Sequence, residues 1–519
     1  MAATPATSLT LVTSGLQDAR LQPPVGNPDI SQFVKVLRKT TRWAARWYRV
    51  DFDGAAEFGQ RVSMTLPRKA ELVSGLNIVV DMPDIYTIQA NVKAANPTTF
   101  LGPTYGWTNS LGHALIQLIE LEIGGVIVDS LDSIQLEALD ELYETVEASV
   151  AKNFMIARAP NGFGPTTFQG STTHSQKVYV PIPFWWSRPG QYANALPIDA
   201  LAQDKVRIHV TFRPVNQLFY TDARVDPRTV GFRPTQDISG AMWGIQGARF
   251  WRSNPAAATS VYSMNSTMSS SGVSGELIPN STFPSRLTPN DAYALVEYIS
   301  LEEAESIAIR TAELTYRVPQ HIQVPVINTH GNKLIRVPLP YANLVKEMYW
   351  VAQKPEVAQY NAWFLFTRDL HSQSSTVEPW WPDAQPVPTP ENNWMVVPAF
   401  QESFSEPIIA ATITYNTIER VVQDSGSAFR TLVPAFHFTK SAIYDRYVYA
   451  YSFSQKSQPT MYEVEGFANW DKIPRKEMYL TMNSGPCGSA PPNMNVYVYL
   501  TLWNVFKVFG GRGGMLFTN

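Results

Sequence analysis

Paired carboxylates are the residues in this chain whose spacing could carry out acid–base chemistry. Two neighbouring carboxyl groups can serve as general acid and as base or nucleophile in glycoside hydrolysis. Such pairs include Glu120/Glu122, Asp129/Asp132 and Glu302/Glu303. Any β-sandwich offers pairs of this kind, so they are weak evidence for catalysis. A carbohydrate-binding or carbohydrate-hydrolysing β-sandwich is therefore kept as an alternative.

The other constellations that carry catalysis or hold metals are missing from the sequence. It contains neither a phosphate-binding Gly-x-x-x-x-Gly-Lys-Ser/Thr loop nor a His-Glu-x-x-His helix. The seven histidines stand singly; we expect His209, within "VRIHVTF", to be a structural strand histidine, and His113 could end a turn. The single cysteine, Cys487, excludes an intrachain disulfide and fits a reducing compartment. We therefore predict no catalytic residue, metal or cofactor, and no enzyme.

Two short motifs are better explained as turns than as binding sites. "GGRGG" (510–514) is a single Gly-Arg-Gly element beside a strand, and glycines that permit a positive φ explain it. "DFDG" (51–54) has the opening acids of a calcium loop without the remaining ligands.

Charge is unusual in one segment only. The formal net charge is −3, which implies no global attraction to nucleic acid or membranes. Six basic residues and no acid lie between positions 35 and 49: Lys35, Arg38, Lys39, Arg42, Arg46 and Arg49. This stretch is either the solvated face of one strand or helix, or a contact with an anionic or acidic partner.

Composition predicts a large apolar surface to bury. Charged residues make up 16% of the chain, against about 25% in a typical soluble domain. Aromatic residues make up 12%, so they must be buried in cores or between subunits. No run of 18 apolar residues occurs, and the first 30 residues lack the order of a signal peptide, which predicts an extended N-terminal arm over residues 1–30.

The hydrophobic pattern is that of an all-β protein. Segments such as "GLNIVVDMP", "KVRIHVTFRP" and "NVYVYLTLWNVFKVF" are rich in β-branched and aromatic residues and end at Gly, Pro, Asn or Ser. Only "DSIQLEALDELYETVEASVAKNF" (132–154) has the three- and four-residue spacing of a helix. Long Ser-, Pro- and Asn-rich loops interrupt the strands, and one of them contains the sequons of Asn265 and Asn280.

The order of strands occurs twice. "VSMTLPRKAELVSGLNIVVDMP" (62–83) is similar to "IRVPLPYANLVKEMYWVAQKP" (335–355), and three later strands of the first half have counterparts in the second. A period of about 270 residues means two whole domains rather than a solenoid. Eight strands per domain predict two tandem jelly rolls, at residues 31–308 and 309–519.

The run "VYVPIPFWWSRPGQ" (178–191) combines two prolines with three adjacent aromatics. Prolines are tolerated in a strand only at an edge or at its beginning. If Trp185 and Trp186 continue the strand, they point to opposite faces. We therefore expect one tryptophan in the core and the other against the second roll or a neighbouring subunit; the alternative is that both are internal.

Motifs in order along almost the whole chain resemble the major capsid proteins of nucleocytoplasmic large DNA viruses. They are "FGQRVSMTLPRKAELVSGLNIVVDMP" (58–83), "YGWTNSLGHALIQLIELEIGG" (105–125), the Pro-aromatic strand with its Ala-Leu-Pro turn (178–214), "YALVEYISLEEAESIA" (293–308), "YVYAYSFS" (447–454) and the C-terminal "NVFKVFGGRGGMLFTN" (504–519). The segment at 455–472 departs from the family's pattern, which puts its contacts in doubt.

The resemblance implies a structural virion protein with a double jelly-roll fold. It implies a homotrimer with a pseudo-hexagonal outline that tiles an icosahedral shell, assembled in the host cytoplasm. Neighbouring capsomers and minor capsid and penton proteins would be its partners, without direct contact to nucleic acid. The N-terminal arm and the basic stretch would lie at the base, near the inner membrane. A minor or vertex jelly-roll capsid protein is the related alternative.

Overall fold

A computed structural model describes eleven parts of the chain. They are residues 42–84, 104–158, 176–187, 194–222, 288–355, 363–366, 368, 406–441, 447–457, 466–484 and 490–517. Several predictions concern residues outside these parts: the arm 1–30, Lys35, Arg38, Lys39, the sequons of Asn265 and Asn280, and Cys487.

The first half of the chain forms two four-stranded antiparallel sheets. Sheet A has the order β1-β10-β3-β7, built from β1 (Trp43–Asp51), β3 (Leu72–Met82), β7 (Gln176–Pro181) and β10 (Asp291–Leu301). Sheet B has the order β2-β8-β5-β6, built from β2 (Arg61–Thr65), β5 (Ile116–Ile123), β6 (Val126–Asp132) and β8 (Val206–Phe212). Strand β8 alternates in burial from Val206 to Phe212, as a strand between core and surface must. A small hairpin pairs β4 (Thr104–Trp107) with β9 (Phe219–Asp222).

The second half repeats this arrangement. Sheet C follows the path β11-β20-β14-β17, from β11 (Leu314–Gln323), β14 (Leu344–Gln353), β17 (Tyr449–Ser452) and β20 (Asn495–Phe509). The short strands β12 (Ile327–Asn328), β18 (Ala468–Asn469) and β21 (Arg512–Met515) extend it. Sheet D has the order β13-β19-β15-β16, from β13 (Leu334–Pro338), β15 (Ile408–Tyr415), β16 (Ile418–Ser425) and β19 (Lys476–Met482). The predicted double jelly roll is confirmed.

The two rolls match residue by residue in their strand registers. In sheet A, Trp47 pairs with Glu297, and Glu297 pairs with Gly75. In sheet C, His321 pairs with Thr501, and Thr501 pairs with Glu347. Each sheet has a register shift directly beside the second of these pairs, Glu297–Gly75 in sheet A and Thr501–Glu347 in sheet C. The same match holds in the partner sheets, where β5 and β8 of sheet B shift register at the same step as β15 and β19 of sheet D. The duplication predicted from the sequence is therefore confirmed at the level of single strand pairs.

Helices are short and lie between the strands. They are α1 (Leu111–Leu115), α2 (Ser133–Tyr143), α3 (Val146–Met155), α4 (Glu303–Thr311) and α5 (Val433–His437), the last preceded by a π-helical turn at Ala428–Leu432. Helix α4 lies between the strands of the two rolls, and residue 308, near which the sequence predicts the junction, falls within it; the bounds 31–308 and 309–519 stay a prediction.

The helix predicted over 132–154 is two helices. The carboxylate of Asp132 caps α2 by accepting from the Gln135 amide over 2.6 Å. The chain is extended at Glu144 and at Thr145, and the Thr145 hydroxyl caps α3 by accepting from the Ala148 amide over 3.2 Å. A side-chain cap satisfies amides that a helix start would otherwise leave unpaired, so the second cap permits the break.

Both rolls share one contiguous hydrophobic core. Large aromatic side chains fill it, among them Trp107 and Phe212 of the first roll and Trp350 and Tyr449 of the second. The turn between β20 and β21 is formed as predicted, since Gly510 and Gly511 have φ of 60° and 82°, which glycine adopts without strain.

Candidate functional site

The prediction that Trp185 and Trp186 lie on opposite faces of one strand is wrong. Strand β7 ends at Pro181, and both tryptophans follow in a turn in which the Ser187 amide donates to the Phe184 carbonyl over 3.0 Å. Strand β7 is the edge of sheet A in the described part of the chain, and proline cannot donate to a further ladder bond. The strand therefore ends before the aromatic residues.

Both tryptophans are buried within the chain, but they contact different parts of it. The ring of Trp185 lies 5.7 Å from that of Phe506 in β20, so it packs against the second roll. The ring of Trp186 stacks on Phe184 of its own roll at 6.1 Å. Their side chains are 2% and 0% exposed, so neither presents a surface to a second chain.

Three of the six basic candidates fall within the described residues, and all three are exposed. Arg42 and Arg46 lie just before and within β1, the other edge strand of sheet A. Arg49 donates to Asp51 over 2.6 Å and to Asp291 over 2.8 and 2.9 Å, and these hydrogen bonds, that to Asp291 foremost, raise its pKa. Its charge is thus paired with acids of the same chain. This agrees with the interpretation of the basic stretch as the solvated face of one strand.

A buried polar contact joins the two rolls. Each sheet has a core face and an outer face, and the outer face of sheet C carries Tyr349, Tyr499 and His321. Strand β6 and helix α2 of the first roll cover this face. The carboxylate of Asp129 lies 3.1 Å from His321 Nδ1, and the Tyr499 hydroxyl donates to Asp132 over 2.8 Å.

Helix α2 adds a third such bond, since the Gln135 side chain donates to the Tyr349 hydroxyl over 2.9 Å. Burial raises the pKa of both Asp132 and Tyr499, which opposes ionisation of either group, although hydrogen bonds from Gln135 and Tyr499 oppose the rise at Asp132. Hydrogen bonds at fixed positions in a buried interface specify one register between the rolls.

The outer face of sheet C also buries an acid without a cation. Glu347 is completely buried, and its carboxyl group accepts a hydrogen bond of 2.6 Å from Ser457. No lysine or arginine among the described residues forms an ion pair with it. Burial raises its pKa to about 7, against an ordinary value of 4.5.

A second buried cluster ties α2 to its surroundings through charges. Arg158 donates to Glu137 over 2.6 Å and pairs with Asp140, which also lies 2.6 Å from the Lys152 ammonium. Burial favours the neutral form of Asp140, but the charges of Arg158 and Lys152 outweigh it and hold its pKa well below the usual range. Lys440 of the second roll approaches Glu141 of this helix to 3.8 Å.

His113 and His209 each have a carboxylate partner in the structure. The sequence does not reveal these partners, because they are distant along the chain. His113 lies in α1, 2.5 Å from Glu137, and burial lowers its pKa although that carboxylate favours the charged form. His209 lies on the non-core side of β8, 2.7 Å from Glu122. Both are structural contacts, and the second is the strand histidine that the sequence predicted.

The first two carboxylate pairs are engaged in contacts within the chain. Each member of the first two pairs is bound by its own partner: Glu120 by Arg61, Glu122 by His209, Asp129 by His321 and Asp132 by Tyr499. Within the described residues, no cluster of three or more His, Cys, Asp or Glu side chains could hold a metal ion. Nor does any helix there have the length and apolarity to cross a membrane. These four carboxylates therefore join parts of the chain to each other.

Comparisons with known proteins agree with this architecture. Residues 31–251 match the family model of the major capsid protein N-terminus. The major capsid protein of Chrysochromulina ericina virus is 21% identical over an alignment of 634 positions, which covers 98% of this chain and 99% of that protein. Capsid protein 1 of Acanthamoeba polyphaga mimivirus is 28% identical over 217 residues, 41% of this chain. That match spans 35% of capsid protein 1. A second match, to probable capsid protein 4 of the same virus, spans 38% of that protein, so the chain covers about a third of the length of each of these two relatives.

A solved structure has the same fold over nearly the whole chain. A quasi-atomic model of the Paramecium bursaria Chlorella virus 1 capsid aligns with a TM-score of 0.62 at 17% identity, covering 94% of this chain and all of that one. The chain is thus a double jelly-roll protein. Within that class, its resemblance to the major capsid proteins of nucleocytoplasmic large DNA viruses is confirmed, with residues 31–251 matching the N-terminal part of that family.

Proposed function

We propose that this chain is a major capsid subunit, a structural virion protein without catalytic activity. The observation that carries the proposal is the tandem pair of jelly rolls with matching registers, together with a match to a major capsid protein over almost the full length of both chains. The relatives named above are all capsid proteins, which supports a structural role over the carbohydrate-active alternative.

Three copies of the chain form the capsomer. Each copy contributes two rolls of similar size, bounded at residues 31–308 and 309–519, so that six rolls give a pseudo-hexagonal outline. Trimers of this shape tile an icosahedral shell. Two rolls per chain, fixed to each other by the buried bonds from Asp129, Asp132 and Gln135, suit this role better than that of a single-roll vertex protein.

The partners of the capsomer follow from its place in the shell. Neighbouring capsomers adjoin its sides, and minor capsid and penton proteins meet it at its base and at the vertices. Residues 1–30 and the basic stretch that includes Arg42 and Arg46 lie at the base, near the inner membrane. The protein resides in the virion, is assembled in the host cytoplasm, and makes no direct contact with nucleic acid.

Light scattering after size exclusion tests this proposal on the purified chain. We expect a mass of three times 58.0 kDa. A well-folded monomer that stays monomeric at high protein concentration would contradict the trimer. Sugar binding by that monomer would favour the carbohydrate-active β-sandwich instead.

A further inference from the structure

The same sheet face is covered in one roll and uncovered in the other. In the second roll, the outer face of sheet C is buried by β6 and α2 of the first roll, and His321 there is 4% exposed. In the first roll, Trp47 occupies the position that corresponds to His321 by strand register, and it is 51% exposed. Trp43, four residues earlier on the same face, is 54% exposed.

The exposed part of this face is largely apolar and already shaped. Alternation along β1 and β10 places Trp43, Trp47 and Leu295 on the outer face of sheet A, together with Glu297, which pairs with Trp47, and Ile299, which is 4% exposed. The ring of Trp47 lies over Gly75, where an added Cβ would come within 2.8 Å of it. Half-exposed tryptophans held in one place on a sheet are typical of an interaction surface rather than of solvated structure.

The element that does the covering is also repeated, and its second copy exposes two large apolar side chains, Leu432 and Phe436. Strand β6 ends at Asp132 and β16 ends at Ser425, and these residues hold equivalent positions in their sheets. Seven residues beyond each strand end, Leu139 of α2 is 2% exposed whereas Leu432 is 42% exposed.

Eleven residues beyond the strand ends, Tyr143 is half-buried and packs against Phe438 of the second roll, with ring centroids 5.9 Å apart. Its counterpart Phe436 on α5 is 70% exposed. Within the described residues, each chain therefore presents a partly exposed receiving face and a covering element with exposed apolar side chains.

We propose that the outer face of sheet A receives the β16–α5 segment of a second copy of this chain, in the manner in which sheet C receives β6 and α2 within one chain. This inference rests on the proposed capsid function and names the surfaces that join its subunits. The contact is heterologous, because two different surfaces meet, and a heterologous contact builds a ring when its rotation closes. The core of the contact is Trp43 and Trp47 of one copy against Leu432 and Phe436 of the next.

The test uses the full-length chain and two single substitutions, Trp47→Asp and Phe436→Asp. Each removes one of the two surfaces and leaves the other intact. We expect each variant alone to lose the trimer in light scattering, with at least a tenfold rise in the protein concentration needed for assembly. Mixed in equal amounts, the two variants should form a dimer of one copy of each, joined by the one remaining pair of intact surfaces.

The matched control is Ile418→Asp. Ile418 is 73% exposed at the start of β16, and its counterpart in the first roll, Val126, stays 64% exposed although the first roll covers sheet C. This position therefore lies outside the repeated contact, and the variant should assemble as the unchanged chain does. If Trp47→Asp fails to fold by circular dichroism, Trp43→Asp replaces it.

The results separate this inference from the proposed function. If the unchanged chain is a monomer, the capsid proposal fails. If the unchanged chain is a trimer and folded Trp47→Asp remains one, the capsid proposal stands and this interface is wrong, as it would be if residues 1–41 of the same chain occupied the face. Loss of assembly in Ile418→Asp to the same extent as in Phe436→Asp would also overturn it.

Discussion

Glu347 is a buried acid whose ionisation opposes folding. Its pKa is about 7 in the folded chain against an ordinary 4.5, because burial disfavours the carboxylate. Because the folded state holds this proton more tightly than the unfolded state, protonation of Glu347 contributes its full stability below about pH 4.5. That contribution is lost as the pH rises to about 7. The expected penalty above pH 7 is about 3 kcal/mol.

Glu347→Gln should therefore stabilise the protein at pH 8 by up to about 3 kcal/mol and have little effect at pH 4.5. Urea unfolding at both pH values, at one protein concentration, measures the difference. Glu313→Gln, at an exposed acid paired with Lys507, is the control and should be nearly neutral. An equal effect of Glu347→Gln at both pH values would contradict a proton-linked penalty.

Arg158 neutralises a set of buried carboxylates on α2. Replacing it with methionine keeps much of the volume but leaves Glu137 and Asp140 without their closest cation. Breaking a buried ion pair from one side costs about 3–5 kcal/mol, so the free energy of unfolding should fall by that amount. The exposed Arg61, paired with Glu120, is the control, and Arg61→Met should cost below about 1 kcal/mol. Equal losses in the two variants would show that burial does not govern these pairs.

At the level of elements, the stability of the protein should depend on both tryptophans in the turn after β7. Trp185 and Trp186 are both buried inside one chain, so Trp185→Ala and Trp186→Ala should each lower the free energy of unfolding by about 3–5 kcal/mol. Both variants should still form the trimer under native conditions. Thermal unfolding and light scattering measure the two properties. A trimer lost in either variant at unchanged stability would contradict the internal placement.

The strands and their duplication were predictable because core positions recur with a period of two. "VRIHVTF" around His209 and "MYLTM" in β19 bury the same alternating positions, and a local pattern suffices to find them. The break at Thr145 was missed because both halves of the segment have helical spacing, and the cap depends on one hydroxyl.

The contacts between the rolls were not predictable from local sequence. His321 and Asp129 are 192 residues apart, and nothing near either residue indicates the other. The equivalence of β1 and β11 is not evident from local sequence, because Trp47 stands where β11 has His321. The difference follows from the environment: polar groups of the same chain cover the face around His321, whereas the face around Trp47 exposes two tryptophans.

At the scale of the whole molecule, the repeated fold joins the two rolls within one chain and suggests how the proposed trimer would assemble. The first roll covers sheet C through Asp129, Asp132 and Gln135 within one chain. Repeating that contact between chains would leave no receiving face open in a closed ring. A trimer built this way would have three intrachain and three interchain junctions of the same kind, and six equivalent junctions would give it a pseudo-hexagonal outline.

Electron cryomicroscopy of the purified full-length protein tests this central claim most directly. We expect a threefold-symmetric particle in which six jelly rolls alternate around the axis, with sheet A of each copy against the second roll of the next. A folded monomer, or a threefold particle in which Trp43 and Trp47 face solvent, would contradict it.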